Sequence, residues 1–182
     1  MTAIAERGAI PAPGEVYLPA QLLAARVQEL AAAIDRDHRG RPLVLVAVLK
    51  GAAVFAADLS RALSVPHRLD TMALSAYSGS DRRPGRITLL KDLDQPVRGE
   101  HVVVVEDLID TGLTMHNLVR SLHVRGPAGV RICTLLDRPH RRLIDLDVPY
   151  VGFTASERFV VGYGLGHHQR FRNLPDVRFL AR

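Results

Sequence analysis

Residues 101–106 contain four consecutive valines, and acidic residues follow them directly. An unbroken β-branched run of this kind is typical of a parallel strand that other elements cover on both faces. The strand ends in Glu106 and Asp107, Asp110 comes next, and Thr111-Gly112-Leu113-Thr114 opens a helical pattern that runs to residue 124. A buried strand leading into a helix is the building unit of an α/β domain, so this stretch favours that fold class over all others.

The rest of the chain alternates between apolar strands and amphipathic helices. Strands are predicted at 42–49, 68–76, 86–92, 130–136, 148–153, 159–161 and 177–180. A first helix follows Pro19 and a second spans 51–63. The side chains predicted to face the core from the three helices are Leu22, Leu23, Val27, Leu30, Ala31, Ile34, Val54, Phe55, Leu59, Leu63, Met115, Leu118, Val119 and Leu122. This alternation predicts a mainly parallel, twisted sheet flanked by helices, in which ligands bind beyond the carboxyl ends of the strands.

No internal repeat or low-complexity linker interrupts the 182 residues, so a single domain over 1–182 is predicted, with an N-terminal arm over 1–15. The arm lacks the basic start and apolar block of a signal peptide, and the single cysteine, Cys133, cannot form an internal disulfide. Both observations favour a cytoplasmic protein. Cys133 lies in a strand-like run and is interpreted as a small core residue.

The charge of the chain suits an anionic partner. Lysine and arginine number 24 against 19 acidic residues, and all but Lys50 and Lys91 of the basic residues are arginine. Such a balance fits either nucleic acid or a phosphorylated small molecule. Aromatic residues make up only 5% and tryptophan is absent, which argues against a platform for single-stranded nucleic acid. No apolar run approaches the roughly 20 residues that span a bilayer, so no membrane partner is expected.

The start of the third helix has the features of a phosphate site. Its first N–H groups are unpaired and lie at the positive end of the helix dipole, and Thr111, Gly112 and Thr114 add hydroxyls and close backbone approach. Acids beside a phosphate would repel it unless they bind something else; Glu106 and Asp107 can accept hydrogen bonds from a ribose diol and help to hold Mg²⁺. An ordinary capped helix would explain Asp110 but not the two carboxylates that end the valine strand.

Residues 106–112 resemble the phosphoribosyl-pyrophosphate motif of the phosphoribosyltransferases, in the form Glu-Asp-Ile-Ile-Asp-Thr-Gly that the hypoxanthine-guanine members use. The resemblance extends from about Val44 to Leu180. Residues 49–51 are similar to the pyrophosphate loop of the family, 77–85 to its mobile flap, 135–142 to its purine-side segment, and 159–165 with 172–175 to its closing segment. Five such segments in the family order make the match specific.

The resemblance implies a phosphoribosyltransferase-like fold with a small purine-side hood over about 137–182. It also implies a role for individual residues. Asp110 would be the general base for the purine N7 proton, and Glu106 and Asp107 would hold the ribose hydroxyls and Mg²⁺. The 5′-phosphate would bind to Thr111, Gly112, Leu113 and Thr114, the pyrophosphate to Lys50, Gly51 and Arg172, and the purine to Arg138, Phe159 and the main chain of Val160, with Tyr77 in the flap.

The implied activity converts hypoxanthine and/or guanine, with phosphoribosyl pyrophosphate, to IMP or GMP and pyrophosphate in a homodimer or homotetramer. A regulator that senses phosphoribosyl pyrophosphate or nucleotide and binds nucleic acid is the alternative, as is a relative that uses another base. Retention of Asp110, Lys50 and Arg172 favours the enzyme, because a sensor has no need of a general base.

Three positions depart from the family pattern. Arg138 stands in place of a purine-contacting lysine, Gly166 in place of an aspartate that helps to anchor a metal, and Ala76 in place of the flap serine. All three lie on the purine or pyrophosphate side. The predicted phosphate site at residues 111–114, called the phosphate cradle below, is therefore the safer prediction. Without the resemblance, Phe159 would be assigned to the core, and the pairs Arg141-Arg142 and His167-His168 to the solvated surface.

Overall fold

The structure is a computed structural model that describes residues 12–75 and 88–181. Within these ranges the chain forms nine strands and three helices. A 3₁₀ turn at Pro139–Arg141 follows the sixth strand. The elements in chain order are β1 (Pro13–Leu18), α1 (Ala20–His38), β2 (Leu43–Leu49), α2 (Ala53–Ala62), β3 (His67–Ser75), β4 (Thr88–Lys91), β5 (His101–Ile109), α3 (Leu113–His123), β6 (Gly129–Asp137), β7 (Tyr150–Thr154), β8 (Val160–Val161) and β9 (Val177–Leu180).

The larger sheet has six strands in the order β4-β3-β2-β5-β6-β7. Strands β3, β2, β5, β6 and β7 run parallel, and only β4, at the edge, is antiparallel to its neighbour. The predicted α/β fold with a mainly parallel sheet is therefore confirmed. Because β5 lies between β2 and β6, the segments that follow these three strands meet at one edge of the sheet.

The four valines of β5 are fully buried, as predicted. Val103 and Val105 belong to the core that includes the inward side chains of α1 and α2, whereas Val102 and Val104 belong to the core beneath α3. Alternation of side chains along a strand assigns successive residues to opposite faces of the sheet. Cys133 is also a buried core residue, as expected, and burial raises the pKa of its thiol.

A second, antiparallel sheet has the order β1-β9-β8 and includes two of the strands in the predicted hood, β8 and β9, whereas β7 belongs to the larger sheet. Its first strand, β1, was not predicted, and it includes residues 13–15 of the proposed arm. Strand β1 pairs with β9, which lies at the other end of the chain. A short strand whose only partner is so distant in sequence leaves little local signal. The first eleven residues lie outside the described part of the chain.

Two side chains predicted to be inward are exposed at the surface: Leu22 at 46% and Val54 at 36%. The buried stripe of α1 starts at Leu23, so Leu22 lies on the flank of the helix. Helix α2 begins at Ala53 and turns Phe55 into the core, which leaves Val54 at the rim of a cavity beside residues 172–175. None of the described helices is long and apolar enough to cross a membrane.

Candidate active site

A cleft of about 490 Å³ opens where β2, β5 and β6 end and where residues 159–172 of the predicted hood face them. Its walls come from the turn after β2, the last residues of β5 and their loop, the segment after β6, and the hood. A smaller pocket of about 120 Å³ adjoins it at the start of α3. The residues that line the larger cleft are Val48, Leu49, Gly51, Glu106, Asp107, Leu108, Asp110, Arg138, Arg141, Phe159, Val160, Leu165, Gly166 and Arg172.

Asp110 lines both pockets. The Oδ1 atom is buried and accepts no hydrogen bond from any described residue. It lies 3.1 Å from Nε of Arg141 and 3.8 Å from Nη1 of Arg138, which makes two ion pairs by distance without hydrogen-bond geometry. A buried acceptor without a donor is costly, so this atom is suited to receive an N–H group from a ligand.

Glu106 and Asp107 form a carboxylate pair directly after the four valines, but they do not end the strand as expected, because β5 continues to Ile109. Glu106 accepts a hydrogen bond of 3.2 Å from the N–H of Asp107, and Asp107 accepts one of 2.9 Å from the N–H of Leu108. Loss of hydration and then the charge of Asp107 raise the pKa of Glu106. Gly51 lies against this pair, and a Cβ there would overlap the Asp107 carboxylate.

The chemistry of this pair fits a hard divalent cation. Carboxylate oxygens are the ligands that Mg²⁺ prefers, and Mg²⁺ usually keeps several waters and substrate oxygens in its shell. Among the described residues no cluster of three or more histidine, cysteine, aspartate or glutamate side chains could enclose a metal. A cation held here by Glu106 and Asp107 would therefore depend on a ligand to complete its coordination.

The smaller pocket has the geometry of an anion site. Gly112 adopts a left-handed φ of 82° and α3 begins at the next residue. The main-chain N–H groups of residues 111–114 donate to no acceptor in the described part of the chain. They point out from the positive end of the helix, where an anion is stabilised. Thr111 and Thr114 line the same pocket.

Arg172 lines the same large cleft as the carboxylate pair. Its Nη1 donates a hydrogen bond of 2.6 Å to the carbonyl of Gly164, while its Nε is buried and has no acceptor among the described residues. The guanidinium packs on Gly166, where a Cβ would lie 2.8 Å from Cζ of Arg172. Lys50 is exposed in the turn after β2. Gly164 has a φ of 96° and touches Gly51, which brings the two segments together.

The residues predicted to contact a purine come from two places in the chain, the segment after β6 and the start of β8. Phe159 is 54% exposed at the cleft, so it is not part of the core. The ring of His167 packs edge-on against it with centroids 5.3 Å apart, and His167 is therefore half-buried rather than exposed. Arg138 is buried, and it donates through Nε to the carbonyl of Ser156 and through Nη2 to that of Arg158.

Most predicted site residues that the structure describes line one of the two pockets. Gly51, Glu106, Asp107, Asp110, Arg138, Phe159, Val160 and Arg172 line the cleft, and Thr111, Gly112 and Thr114 line the smaller pocket. Lys50 and Leu113 line neither. The flap, with Ala76 and Tyr77, lies outside the described residues.

Sequence reasoning missed the part played by Arg141 and Arg142. Arg141 is at the surface, with its side chain 44% exposed, but it approaches Asp110, whereas the side chain of Arg142 is only 14% exposed. Both arginines lie at the turn that begins at Pro139, directly after β6. That position, beyond the carboxyl end of a central strand, could have indicated that they lie near the site.

Comparison with known proteins shows extensive similarity. Residues 14–168 match the family model described as the phosphoribosyl transferase domain. The chain is 42% identical to the hypoxanthine phosphoribosyltransferase of Salmonella typhimurium, with 90% of this chain and 93% of that protein covered. It is also 42% identical to the hypoxanthine-guanine phosphoribosyltransferase of Mycobacterium avium, with 91% and 86% covered.

The fold is similar to a crystal structure of a hypoxanthine-guanine phosphoribosyltransferase from Bacillus anthracis that holds a HEPES molecule in its active site. The TM-score is 0.89 and the sequences are 40% identical, with 96% of this chain and all of that chain covered. The similarity therefore covers both sheets and is not confined to one motif.

Proposed function

Because this chain belongs to the phosphoribosyltransferase family, with hypoxanthine-guanine enzymes as its relatives, we propose that it is a purine-salvage enzyme. It transfers the phosphoribosyl group of phosphoribosyl pyrophosphate to hypoxanthine and/or guanine, which yields IMP or GMP and pyrophosphate. One observation carries the proposal: Asp110, whose Oδ1 accepts no hydrogen bond from a described residue, lines both the phosphate cradle and the cleft that holds the exposed ring of Phe159. This is where a base receiving a proton from a purine would be needed.

Asp110 is proposed as the general base. As the purine nitrogen attacks C1′ of the ribose, the ring loses its N7 proton, and the Oδ1 atom accepts it. Proton transfer of this kind contributes about 10²- to 10⁴-fold to a rate. Nη1 of Arg138 and Nε of Arg141 lie 3.8 and 3.1 Å from the same oxygen, so both guanidinium groups border the place where the N7 proton would be transferred.

The bond between C1′ and the pyrophosphate oxygen breaks with oxocarbenium character, so the main demand on the enzyme is to stabilise the departing negative charge. Lys50, the main chain at Gly51 and Arg172 are proposed to bind it. Mg²⁺ bound at Glu106 and Asp107 would supply further neutralisation of the substrate phosphates. Arg172 is suited to this role, because it lines the cleft and its Nε–H has no acceptor among the described residues.

The ribose 5-phosphate is proposed to lie along the last residues of β5 and the start of α3. Glu106 and Asp107 accept hydrogen bonds from the ribose hydroxyls, and residues 111–114 donate their free N–H groups to the 5′-phosphate. The side chain of Leu113 is not needed for this role. Phe159 stacks on the purine, the main chain of Val160 binds its edge, and Tyr77 closes over the site from the flap.

Arg138 is proposed to act on the purine through its remaining guanidinium nitrogen. Two of its nitrogens already bind the carbonyls of Ser156 and Arg158, and Nη1 faces the cleft beside Asp110. It can donate to an exocyclic oxygen from there, although its planar fork is not equivalent to lysine. The chain is further proposed to be a single domain with a hood and a cytoplasmic homodimer or homotetramer.

The test is a turnover assay with phosphoribosyl pyrophosphate, Mg²⁺ and a panel of free bases: hypoxanthine, guanine, xanthine, adenine and a pyrimidine. Formation of IMP or GMP is expected, and Asp110→Asn is the matched control that should bind phosphoribosyl pyrophosphate but transfer it slowly. Tight binding of phosphoribosyl pyrophosphate without turnover of any base would contradict the proposal and favour a sensor, the alternative that the comparisons do not support.

A further inference from the structure

The segment after β6 binds three successive main-chain carbonyls of the loop that carries Asp110. The N–H of Arg138 donates to the carbonyl of Ile109 at 3.0 Å, and the N–H of Leu143 donates to that of Thr111 at 3.0 Å. Between them, Nη1 of the Arg142 side chain donates to the carbonyl of Asp110 at 2.9 Å. One side chain thus completes a ladder that is otherwise made of main chain.

This ladder determines which way the cradle faces. In a trans peptide the C=O of one residue and the N–H of the next point in opposite directions. With the carbonyls of residues 109–111 turned toward the segment 138–143, the N–H groups that follow them are turned away from it. Those of Thr111 and Gly112 belong to the set without an acceptor among the described residues. The direction of the carbonyls therefore sets the direction of the free donors.

The second terminal nitrogen of the Arg142 guanidinium is also bound. Its Nη2 donates to the carboxylate of Asp137, the last residue of β6, and both side chains are nearly buried, with 14% and 11% exposed. The aliphatic part of Arg142 crosses Gly112 so closely that a Cβ there would lie 3.2 Å from its Cδ. The guanidinium is therefore held between the sheet and the loop.

We propose that Arg142 is a positioning residue that holds the 5′-phosphate cradle and the Asp110 backbone in their working orientation. The inference rests on the proposed function for its ligand, but its geometry concerns only the phosphate end of the site. Arg142 touches neither the reacting atoms nor either pocket; it acts through the carbonyl of Asp110. The segment that carries it also carries Arg138 and Arg141, so it ties the purine side of the cleft to the phosphate side.

An arginine is required at this position because two acceptors on different elements must be reached at once. The planar guanidinium presents several N–H groups at fixed angles and can join the Asp110 carbonyl to the Asp137 carboxylate. A lysine ammonium has the same charge but is a compact point donor on a flexible stem, so it does not reproduce the fork. Arg142→Lys therefore keeps the charge of the buried pair and removes the geometry.

The experiment compares Arg142→Lys with Arg178→Lys, which breaks a similar two-point arginine–aspartate pair on β9 outside both pockets. Ribose 5-phosphate, which can occupy the cradle without a purine, is titrated by calorimetry without metal, and thermal unfolding is recorded for each variant. Arg142→Lys should weaken ribose 5-phosphate about tenfold, the order expected when aligned hydrogen bonds to a charged group are lost. Arg178→Lys should leave this affinity unchanged at a comparable loss of thermal stability.

Steady-state kinetics provide a second readout. Arg142→Lys should raise KM for phosphoribosyl pyrophosphate and lower kcat while KM for the purine stays constant, and Asp137→Asn, which keeps the Asp110 contact, should show a smaller change of the same kind. Unchanged ribose 5-phosphate binding in Arg142→Lys, or equal weakening in Arg178→Lys, would overturn the inference. Should the wild type bind ribose 5-phosphate but turn over no base, the proposed function fails while the calorimetric comparison still decides the role of Arg142.

Discussion

The small pocket at the start of α3 draws its whole lining from residues 106–115, whereas the large cleft uses four separate stretches of chain between residues 48 and 172. One region is a local product of a strand, a loop and a helix that follow one another in sequence. The other exists only after the hood has folded against the sheet. A change in the first should therefore act mainly on phosphate binding, and a change in the second should spread to several ligands.

The largest effect is expected where the two regions meet. Asp110→Asn keeps the shape of the side chain and removes the proton acceptor, so turnover should fall by about 10²- to 10⁴-fold. Binding of phosphoribosyl pyrophosphate should stay close to normal, which calorimetry can measure beside the rate. A loss of less than about tenfold would count against Asp110 as the base.

Gly112→Ala tests the local region. Its φ of 82° strains an alanine, and the added Cβ would press on Arg142 at 3.2 Å. Affinity for ribose 5-phosphate should drop about tenfold or more, in line with the loss of aligned charge-assisted hydrogen bonds. Gly40→Ala is the matched control, because Gly40 has a φ of 69° and open space around it. Gly40→Ala introduces the backbone strain alone and should bind ribose 5-phosphate as tightly as the wild type does. Equal losses of affinity in both variants would show that backbone strain, and not the geometry of the cradle, is responsible.

Gly166→Asp tests the assembled region with a smaller expected effect. The backbone at Gly166 is not left-handed, but a side chain there meets the Arg172 guanidinium. The new carboxylate should pair with Arg172 and weaken its hold on pyrophosphate, which raises the Kd for pyrophosphate several-fold, about the net effect of one ordinary hydrogen bond. Gly166→Ala crowds Arg172 but cannot form an ion pair with it, so the Kd for pyrophosphate should rise less than in Gly166→Asp. Tighter pyrophosphate binding in Gly166→Asp would mean that the carboxylate meets a metal instead.

The smallest effect lies far from both pockets, where α1 ends beside the first residues of β5. Burial, and then the nearby His101 and Arg131, lower the pKa of His38, while Asp37 opposes the shift. A histidine kept neutral when folded is protonated more readily when unfolded, so stability should fall as the pH drops below about 6.5. His38→Gln should lose part of this dependence between pH 7 and 5 in thermal unfolding. Identical slopes for both proteins would exclude His38 as the cause.

The comparison also explains how far the sequence could be interpreted. The valine strand, its carboxylates and the Thr-Gly-x-Thr helix start were predicted because neighbours in sequence are neighbours in space there. Strand β1 and the ladder from Arg142 were not, since each depends on a partner brought from elsewhere in the chain. Two adjacent arginines look like a solvated surface until the fold supplies Asp137 and the Asp110 carbonyl as acceptors.

The resemblance extended the prediction into the assembled region but did not determine its contacts. It assigned Arg138 and Arg172 to the purine and pyrophosphate sides, and both line the cleft. It could not indicate that Arg138 binds two carbonyls of the loop before β8. Nor could it indicate that the Arg172 side chain packs on Gly166, in the space that a side chain there would occupy. Those arrangements follow from this chain's own departures from the family pattern.

The alternating burial of the β5 valines has a consequence for how rigid the carboxylates are. Val102 and Val104 are locked into one core and Val103 and Val105 into the other, so the strand cannot slide or tilt without opening both at once. Its amide protons should therefore exchange with solvent only when the whole domain unfolds. Glu106 and Asp107 lie within that same strand, which runs on to Ile109, so the backbone that carries both carboxylates is held as firmly as that of the valines.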